Sequence, residues 1–145
     1  MRSSCKEMRR SMDKAIKANL DRKIQNKLLN LFLVREADVV LTYVSTDIEV
    51  KTLDFINALL EQGKTVAVPK CLNDKGDMDF FIIKSLNDLE SGFYGVQEPD
   101  VQKSEKVAVT EKSVCIVPAF LFDEKFIIIV IDASFFAVII CDEKE

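Results

Sequence analysis

Residues 39–52 read VVLTYVSTDIEVKT, and this stretch decides the fold. From Ala37 to Val44 the chain is almost continuously apolar, which is the pattern of a strand covered on both faces. A short polar turn follows, and apolar residues then recur at helical spacing from Glu49 to Gln62. The turn therefore lies at the carboxyl end of a strand, where α/β proteins bind ligands. Glu49 at this junction either accepts hydrogen bonds from a ligand or caps the helix that follows.

The elements on either side of this stretch indicate an α/β domain with a mainly parallel sheet. An amphipathic helix is predicted from Lys6 to Phe32, with a possible break near Lys17 to Asn19. The helix after Glu49 leads into a second strand, Thr65 to Val68, which we expect to end at Pro69. A strand, a helix and a further strand in this order form a right-handed crossover between parallel strands. The apolar side of the first helix is formed by Met8, Met12, Ile16, Leu20, Ile24, Leu28 and Leu31.

The second half of the chain predicts shorter elements. Met78 to Ile83 has the composition of a strand, and Ser85 to Glu90 that of a helical turn, capped by Ser85 and stopped by Gly92. Gly92 to Pro99 is expected to be a loop with two aromatic residues. The polar stretch from Asp100 to Lys112 is expected to be irregular, and Ser113 to Val117 to form another buried strand.

The segment from Phe126 to Cys141 reads FIIIVIDASFFAVIIC. We expect two strands separated by a break at Asp132 to Ser134, because a membrane span needs about 20 apolar residues. No glycine follows Gly95. The last third of the chain therefore has no glycine loop that could hold a phosphate group.

Composition excludes several classes of function. The chain has 145 residues, enough for one domain, and no histidine, which excludes imidazole-based triads and histidine metal sites. Its four cysteines are widely spaced, which indicates reduced thiols and a cytoplasmic protein. The net charge is −4, but positive residues crowd between Arg2 and Lys27, where they form either a site for a phosphate-bearing partner or a solvated helix face. No aromatic residues alternate with these cations, so we expect no nucleic-acid partner.

Four segments, in order, resemble the 5-formyltetrahydrofolate cyclo-ligases: TYVSTDIEVKT, GKTVAVPK, MDFFIIKSLNDLESGFYGVQEP and IVPAFLFDEK. The resemblance implies a layered α/β/α domain with a mainly parallel sheet, of the NagB/RpiA/CoA-transferase-like architecture, spanning residues 1–145. It implies a cytoplasmic, monomeric ligase with no membrane partner. Such an enzyme uses ATP and Mg²⁺ to convert 5-formyltetrahydrofolate to 5,10-methenyltetrahydrofolate.

The resemblance also implies which residues bind the substrates. Val44 and Glu49 fall where the family contacts folate, and Tyr94 falls where it places an aromatic residue beside the substrate; the alternative for Tyr94 is a half-buried loop aromatic. The family binds ATP phosphates with an N-terminal K-x-x-L-R motif. In one alignment with this motif, Met1-Arg2 matches its last two residues. In the other alignment, residues 6–10 match the whole motif. The implied nucleotide-binding residues are Arg2, Lys6 and Arg10.

The chain departs from the family pattern after Lys125. The family continues with a glycine-rich segment that approaches the phosphates and ends in an aspartate for magnesium, whereas this chain continues FIIIVIDASFF. We therefore expect a domain that is truncated or frameshifted at its C-terminus, with no catalytic residue or metal ligand assigned. The alternative function is that of an inactive folate-binding fragment without the ATP loop. A sugar-phosphate isomerase is a third interpretation, based on fold analogy alone.

Overall fold

The computed structural model describes residues 2–92, 95–118 and 135–140, and for Arg2, Cys5 and residues 135–140 it describes the backbone only. The helices of these segments are α1 (Arg2–Ser11), α2 (Lys14–Asn30), α3 (Phe32–Glu36), α4 (Leu53–Glu61) and a 3₁₀ turn (Leu86–Asp88). The strands are β1 (Val39–Thr42), β2 (Thr65–Cys71), β3 (Met78–Ile83), β4 (Leu89–Ser91), β5 (Gln97–Pro99), β6 (Ser113–Pro118) and β7 (Phe135–Ile140).

A five-stranded sheet with the order β3-β2-β1-β6-β7 organises the chain. Strand β1 pairs in parallel with both β2 and β6, and β6 pairs in parallel with β7. Only β3, at one edge, runs antiparallel to its neighbour among these five strands. The sequence-based prediction of an α/β fold with a mainly parallel sheet is therefore confirmed.

Burial on the two faces of β1 explains its continuous apolar sequence. Val40 belongs to the main core cluster, and Val39 and Leu41, which point to the opposite face, belong to a second and smaller cluster. Helices α2, α3 and α4 contribute Leu28, Val34, Phe55, Ile56 and Leu59 to the main cluster. On the second face, apolar cover comes from Phe80, Val107 and Cys115.

The N-terminal helix is divided at a different place from the one predicted. The break lies at Met12 and Asp13, not near Lys17 to Asn19, and a further short helix, α3, begins at Phe32. The Asp13 carboxylate accepts hydrogen bonds from the backbone amides of Ala15 at 2.9 Å and of Ile16 at 3.1 Å. Because an aspartate in this position satisfies amides that have no partner within the helix, α2 starts there.

The buried face of α2 also differs from the apolar stripe of the sequence. Ile16, a member of that stripe, is 58% exposed, whereas Asp21 and Gln25 are 4% and 6% exposed. Leu28 is buried as expected. Helix α2 therefore turns a largely polar side toward the segment between β1 and α4, whose backbone groups need hydrogen-bond partners.

Strand β2 does not end at Pro69 but continues to Cys71. Pro69 pairs with Phe80, whose carbonyl accepts a 2.9 Å hydrogen bond from the Val107 amide on the far side of β3. The Pro69–Phe80 pair is therefore a non-hydrogen-bonded pair, and an amide at Pro69 would point away from β3. Pairing with β1 stops at Ala67, so proline removes no ladder hydrogen bond here.

The predicted strands Met78 to Ile83 and Ser113 to Val117 are confirmed, as is the cap at Ser85. The helical turn ends at Asp88, before Gly92, and the expected loop from Gly92 to Pro99 is partly wrong. Its last three residues form β5, which pairs antiparallel with β4 and makes a two-stranded hairpin.

The second strand expected in the C-terminal apolar segment is present as β7, which pairs with β6 from Ser113↔Phe135 to Pro118↔Ile140. The first expected strand and the break at Asp132 lie outside the described residues. Across the described ranges, no helix has the length and apolar character needed to cross a bilayer.

Candidate ligand-binding site

The candidate site lies at the edge of the sheet where the parallel strands β1, β2 and β6 end. Residues 43–52 leave β1 at this edge and lead into α4. The carboxyl ends of parallel strands meet at one edge, and ligands of open α/β sheets bind in the crevice there. The segment between β1 and α4 therefore lies where the sequence predicts a ligand site.

Glu49 closes a tight turn in this segment. Its Oε2 accepts a 2.8 Å hydrogen bond from the Thr46 amide, and its own amide donates to the Thr46 carbonyl at 3.3 Å. Helix α4 starts only at Leu53, so Glu49 caps this turn and not the helix. Within the described chain Oε1 accepts no hydrogen bond, so one carboxylate oxygen is held in place while the other can meet a ligand.

Two hydroxyl groups fix the ends of the same segment. The Ser45 amide donates to Thr52 Oγ1 and the Thr52 amide donates to Ser45 Oγ, each at 3.1 Å. The Thr52 hydroxyl in turn donates to the Tyr43 carbonyl at 2.9 Å, and the Tyr43 hydroxyl donates to the Val50 carbonyl at 2.9 Å. Thr52 is fully buried, so the hydrogen bond of its hydroxyl group to the Tyr43 carbonyl is shielded from water.

Helix α2 holds the turn from the other side. Lys17 Nζ donates to the Glu49 carbonyl at 2.8 Å and lies 2.6 Å from Asp21 Oδ2. Two turns further along α2, Gln25 Oε1 accepts a 2.8 Å hydrogen bond from the Phe55 amide in the first turn of α4. The buried polar side of α2 thus supplies both a donor and an acceptor to the segment that follows β1.

The hairpin β4–β5 is attached to the end of β2 through Glu98. This residue is 2% exposed; its Oε1 accepts a 3.2 Å hydrogen bond from the Cys71 amide. Oε2 lies 2.9 Å from Lys70 Nζ, an ion-pair distance, although the contact does not have the directionality of a hydrogen bond. Lys70 also lies 3.7 Å from Glu90 Oε1 in β4. A Cβ on Gly92, at the tip of β4, would overlap the Glu98 carboxyl group.

The ionisation of the groups at the end of β2 follows from this arrangement. The close contact with the Glu98 carboxylate, reinforced by the charge of Glu90, raises the pKa of Lys70 against the opposing effect of burial. Burial, with a smaller contribution from the Glu98 charge, raises the pKa of the Cys71 thiol. At neutral pH the cluster therefore contains the ammonium group of Lys70 and the protonated thiol of Cys71.

The structure places the predicted folate-site residues as follows. Glu49 lies in the turn described above, and Val44, two residues beyond the end of β1, is 4% exposed and belongs to the main core. A ligand would thus meet the backbone of Val44 and not its side chain. Tyr94, together with Phe93, lies outside the described residues.

The predicted nucleotide residues all belong to α1. Arg10 is exposed and Lys6 is partly buried, while the side chain of Arg2 lies outside the described set. Lys6 and Arg10 are four residues apart and lie on one side of the helix. A neighbouring cation that the sequence did not single out, Arg9, connects α1 to the turn by donating to the Ile48 carbonyl at 3.3 Å.

Sequence reasoning also missed the residues that hold the site together. Lys70 and Glu98 lie inside two of the motifs that carried the family resemblance, so the motifs contained a signal. No signal in the sequence marks Asp21 and Gln25, because isolated polar residues in a helix are usually solvated. Among the residues that the structure covers, no three metal-ligating side chains lie together.

Comparison with known proteins adds a family and a fold. The model of the 5-formyltetrahydrofolate cyclo-ligase family matches residues 1–125. The NMR structure of a 5,10-methenyltetrahydrofolate synthetase from Aquifex aeolicus superposes with a TM-score of 0.68 at 20% identity, covering 80% of this chain and 57% of that one. A 5,10-methenyltetrahydrofolate synthetase from Mycoplasma pneumoniae superposes with a TM-score of 0.50 at 16% identity, covering 85% and 89%.

These two similarities bear on the fold alone, because the identities are low. The chain spans 57% of the length of the Aquifex protein. No curated protein sequence matches the chain.

Proposed function

This chain belongs to the 5-formyltetrahydrofolate cyclo-ligase family, and we propose that it converts 5-formyltetrahydrofolate to 5,10-methenyltetrahydrofolate with ATP. The observation that carries the proposal is the family match over residues 1–125, which includes the Glu49 turn and the β4–β5 hairpin. The resemblance implies that the formyl oxygen attacks the terminal phosphorus of ATP and ADP leaves. N10 then attacks the formyl carbon and loses its proton, and the formyl oxygen departs with the phosphate.

In this proposal Glu49 binds the pterin part of the folate. Its Oε2 is held by the Thr46 amide at 2.8 Å, which leaves Oε1 to accept an N–H group of the pterin. A hydrogen bond to a charged acceptor of this kind contributes about 1.5–3 kcal/mol. Val44 would add a backbone contact, since its side chain is buried, and Tyr94 a ring that stacks on a flat heterocycle.

The cations of α1 are the proposed binding groups for ATP. Lys6 and Arg10 share one side of the helix, and Arg2 precedes them by a further turn. The Arg9–Ile48 contact brings this helix against the turn that carries Glu49. The magnesium ion that the family uses would neutralise phosphate charge; the described residues contain no group of three metal-ligating side chains that would hold it.

The test measures binding and turnover separately with the full chain. Isothermal titration with 5-formyltetrahydrofolate should show binding, and ATP with Mg²⁺ should then produce the ultraviolet absorbance of the methenyl product. Glu49→Gln should weaken folate binding by about tenfold or more, because it removes the charge from the acceptor. Asp47→Asn is the matched control, since Asp47 is an exposed carboxylate in the same turn. A chain that binds no 5-formyltetrahydrofolate refutes the proposal, and equal affinities of Glu49→Gln and wild type refute the role of Glu49.

A second candidate is a folate-binding protein without ligase activity. It is favoured by one observation, the absence of glycine after Gly95, where the family has its glycine-rich ATP segment. Folate binding without ATP binding in the titration, and without product, would support this candidate. ATP-dependent product formation would exclude it.

A further inference from the structure

We propose that Lys17 and Asp21 of α2 are positioning residues that set the geometry of the Glu49 turn and thereby the affinity for the substrate. This inference rests on the proposed function in one respect only, the identity of the ligand that Glu49 binds. The positioning itself is a property of the described residues. Lys17 and Asp21 lie 32 and 28 positions before Glu49 in the sequence.

The contacts form a continuous chain from the helix to the carboxylate. Asp21 is 4% exposed and lies 2.6 Å from Lys17 Nζ, whose side chain is 17% exposed. Lys17 Nζ donates a 2.8 Å hydrogen bond to the Glu49 carbonyl, and Glu49 Oε2 accepts from the Thr46 amide at 2.8 Å. The backbone of Glu49 is therefore held by a charged donor that is itself held by a buried charge.

The pair is better explained by positioning than by stability. A buried ion pair contributes little net stability compared with apolar residues of similar volume, because both charges lose their hydration. Helix α2 also contains apolar residues that could be buried in place of this pair, yet Ile16 is 58% exposed while Asp21 is buried. The Glu49 carbonyl lies outside the sheet and outside α4, and Lys17 supplies the donor that these elements do not.

The same side of α2 also aligns the helix that follows the turn. Gln25 is 6% exposed and its Oε1 accepts the Phe55 amide at 2.8 Å. Lys17, Asp21 and Gln25 are spaced four residues apart and so lie along one side of the helix. This row of polar residues holds the turn at Glu49 and the start of α4 at Phe55 relative to a single rigid helix.

The test is a double-mutant cycle on the full chain, read as the dissociation constant for 5-formyltetrahydrofolate. Lys17→Met removes the donor but keeps the stem, and should weaken binding about tenfold, since a charged donor to the Glu49 carbonyl is lost. Lys23→Met, at an exposed position of the same helix, is the control and should bind like wild type. Lys17→Arg keeps a cation beside Asp21 and should recover most of the affinity.

The cycle separates positioning from a general loss of structure. Because Lys17 acts through Glu49, Lys17→Met should change affinity less than about twofold in a Glu49→Gln background. An unchanged affinity of Lys17→Met, or an equal loss in both backgrounds, would overturn the proposal.

A second measurement does not depend on the ligand. Amide hydrogen exchange of Thr46 and Glu49 should accelerate in Lys17→Met and not in Lys23→Met. If wild type binds no 5-formyltetrahydrofolate, the proposed function fails. The rates of amide hydrogen exchange then decide whether Lys17 positions the Glu49 turn. Unchanged protection of both amides in Lys17→Met would then overturn it.

Discussion

Removing Lys70 should destabilise the protein more than removing the charge of its partner. In Lys70→Met the Glu98 carboxylate stays 2% exposed, and among the described residues its remaining partner is the Cys71 amide at 3.2 Å. Breaking a buried pair in this way costs about 3–5 kcal/mol, and the lower end applies because the Lys70 side chain is 20% exposed. We expect a loss of about 3 kcal/mol in the free energy of unfolding, which corresponds to roughly 10 °C in Tm.

The reverse change, Glu98→Gln, should cost about 1 kcal/mol. Glutamine has nearly the same shape and can still accept the Cys71 amide, while Lys70 keeps access to water and to Glu90 at 3.7 Å. The double variant Lys70→Met/Glu98→Gln should be more stable than Lys70→Met alone, since no unpaired charge is left buried. Lys103→Met, which breaks the contact of the exposed Lys103 side chain with Asp100, is the control and should have nearly the stability of the wild type.

Urea denaturation at neutral pH measures these differences, provided that the slope with urea is equal in all variants. The pKa of Lys70 is raised above its ordinary value of 10.5, so the stability that its charge provides is present below pH 10.5. That stability disappears as the pH rises through the folded-state pKa, and the gap between wild type and Lys70→Met should then narrow. The reasoning is wrong if Glu98→Gln costs as much as Lys70→Met, or if the double variant is the least stable.

Three further changes have defined outcomes. Gly92→Ala should destabilise the protein by about 1–3 kcal/mol in urea denaturation, because the new Cβ overlaps the Glu98 carboxyl group; stability equal to wild type would contradict this contact. Asp13→Ala removes the cap of α2 and should cost about 1 kcal/mol, whereas Asp13→Asn, which keeps an acceptor, should cost less. Burial raises the pKa of Cys115 to about 11, so in the folded protein this thiol should react with a disulfide reagent at pH 8 far more slowly than after denaturation; equal rates would show that it is not protected.

The strands were the most predictable part of the fold. Val39–Thr42 is buried throughout, and a strand with two covered faces leaves a continuous apolar run in the sequence. The start of α4 was less predictable, because Val50 continues the helical spacing although the helix begins at Leu53. Residues 49–52, which the spacing assigns to the helix, instead belong to the segment that precedes it. The hydrogen bonds between Glu49 and Thr46 in this segment cannot be predicted from a pattern of apolar positions.

The turn that follows β1 and the presence of Glu49 in it were predictable, but the groups that support this turn were not. A polar turn after a buried strand marks the crevice in any α/β sequence. Nothing local distinguishes Lys17 from the exposed Lys23 on the same helix, since each is a lysine next to an isoleucine. Lys70 and Glu98 lie within the motifs of the family resemblance, yet their pairing joins β2 to a hairpin in a region where the sequence predicts a helical turn and a loop.

The sequence by itself determined the strands of the five-stranded sheet, that these strands are mainly parallel, and which family the chain resembles. These properties follow from apolar periodicity, element order and short motifs, all of which are local in the chain. Only the tertiary structure decided which side of α2 is buried and what holds the Glu49 turn. The Lys17–Glu49 and Gln25–Phe55 hydrogen bonds span 32 and 30 residues. A polar side chain is buried only where a distant backbone group needs its donor or acceptor, and that need arises when the two segments are packed together.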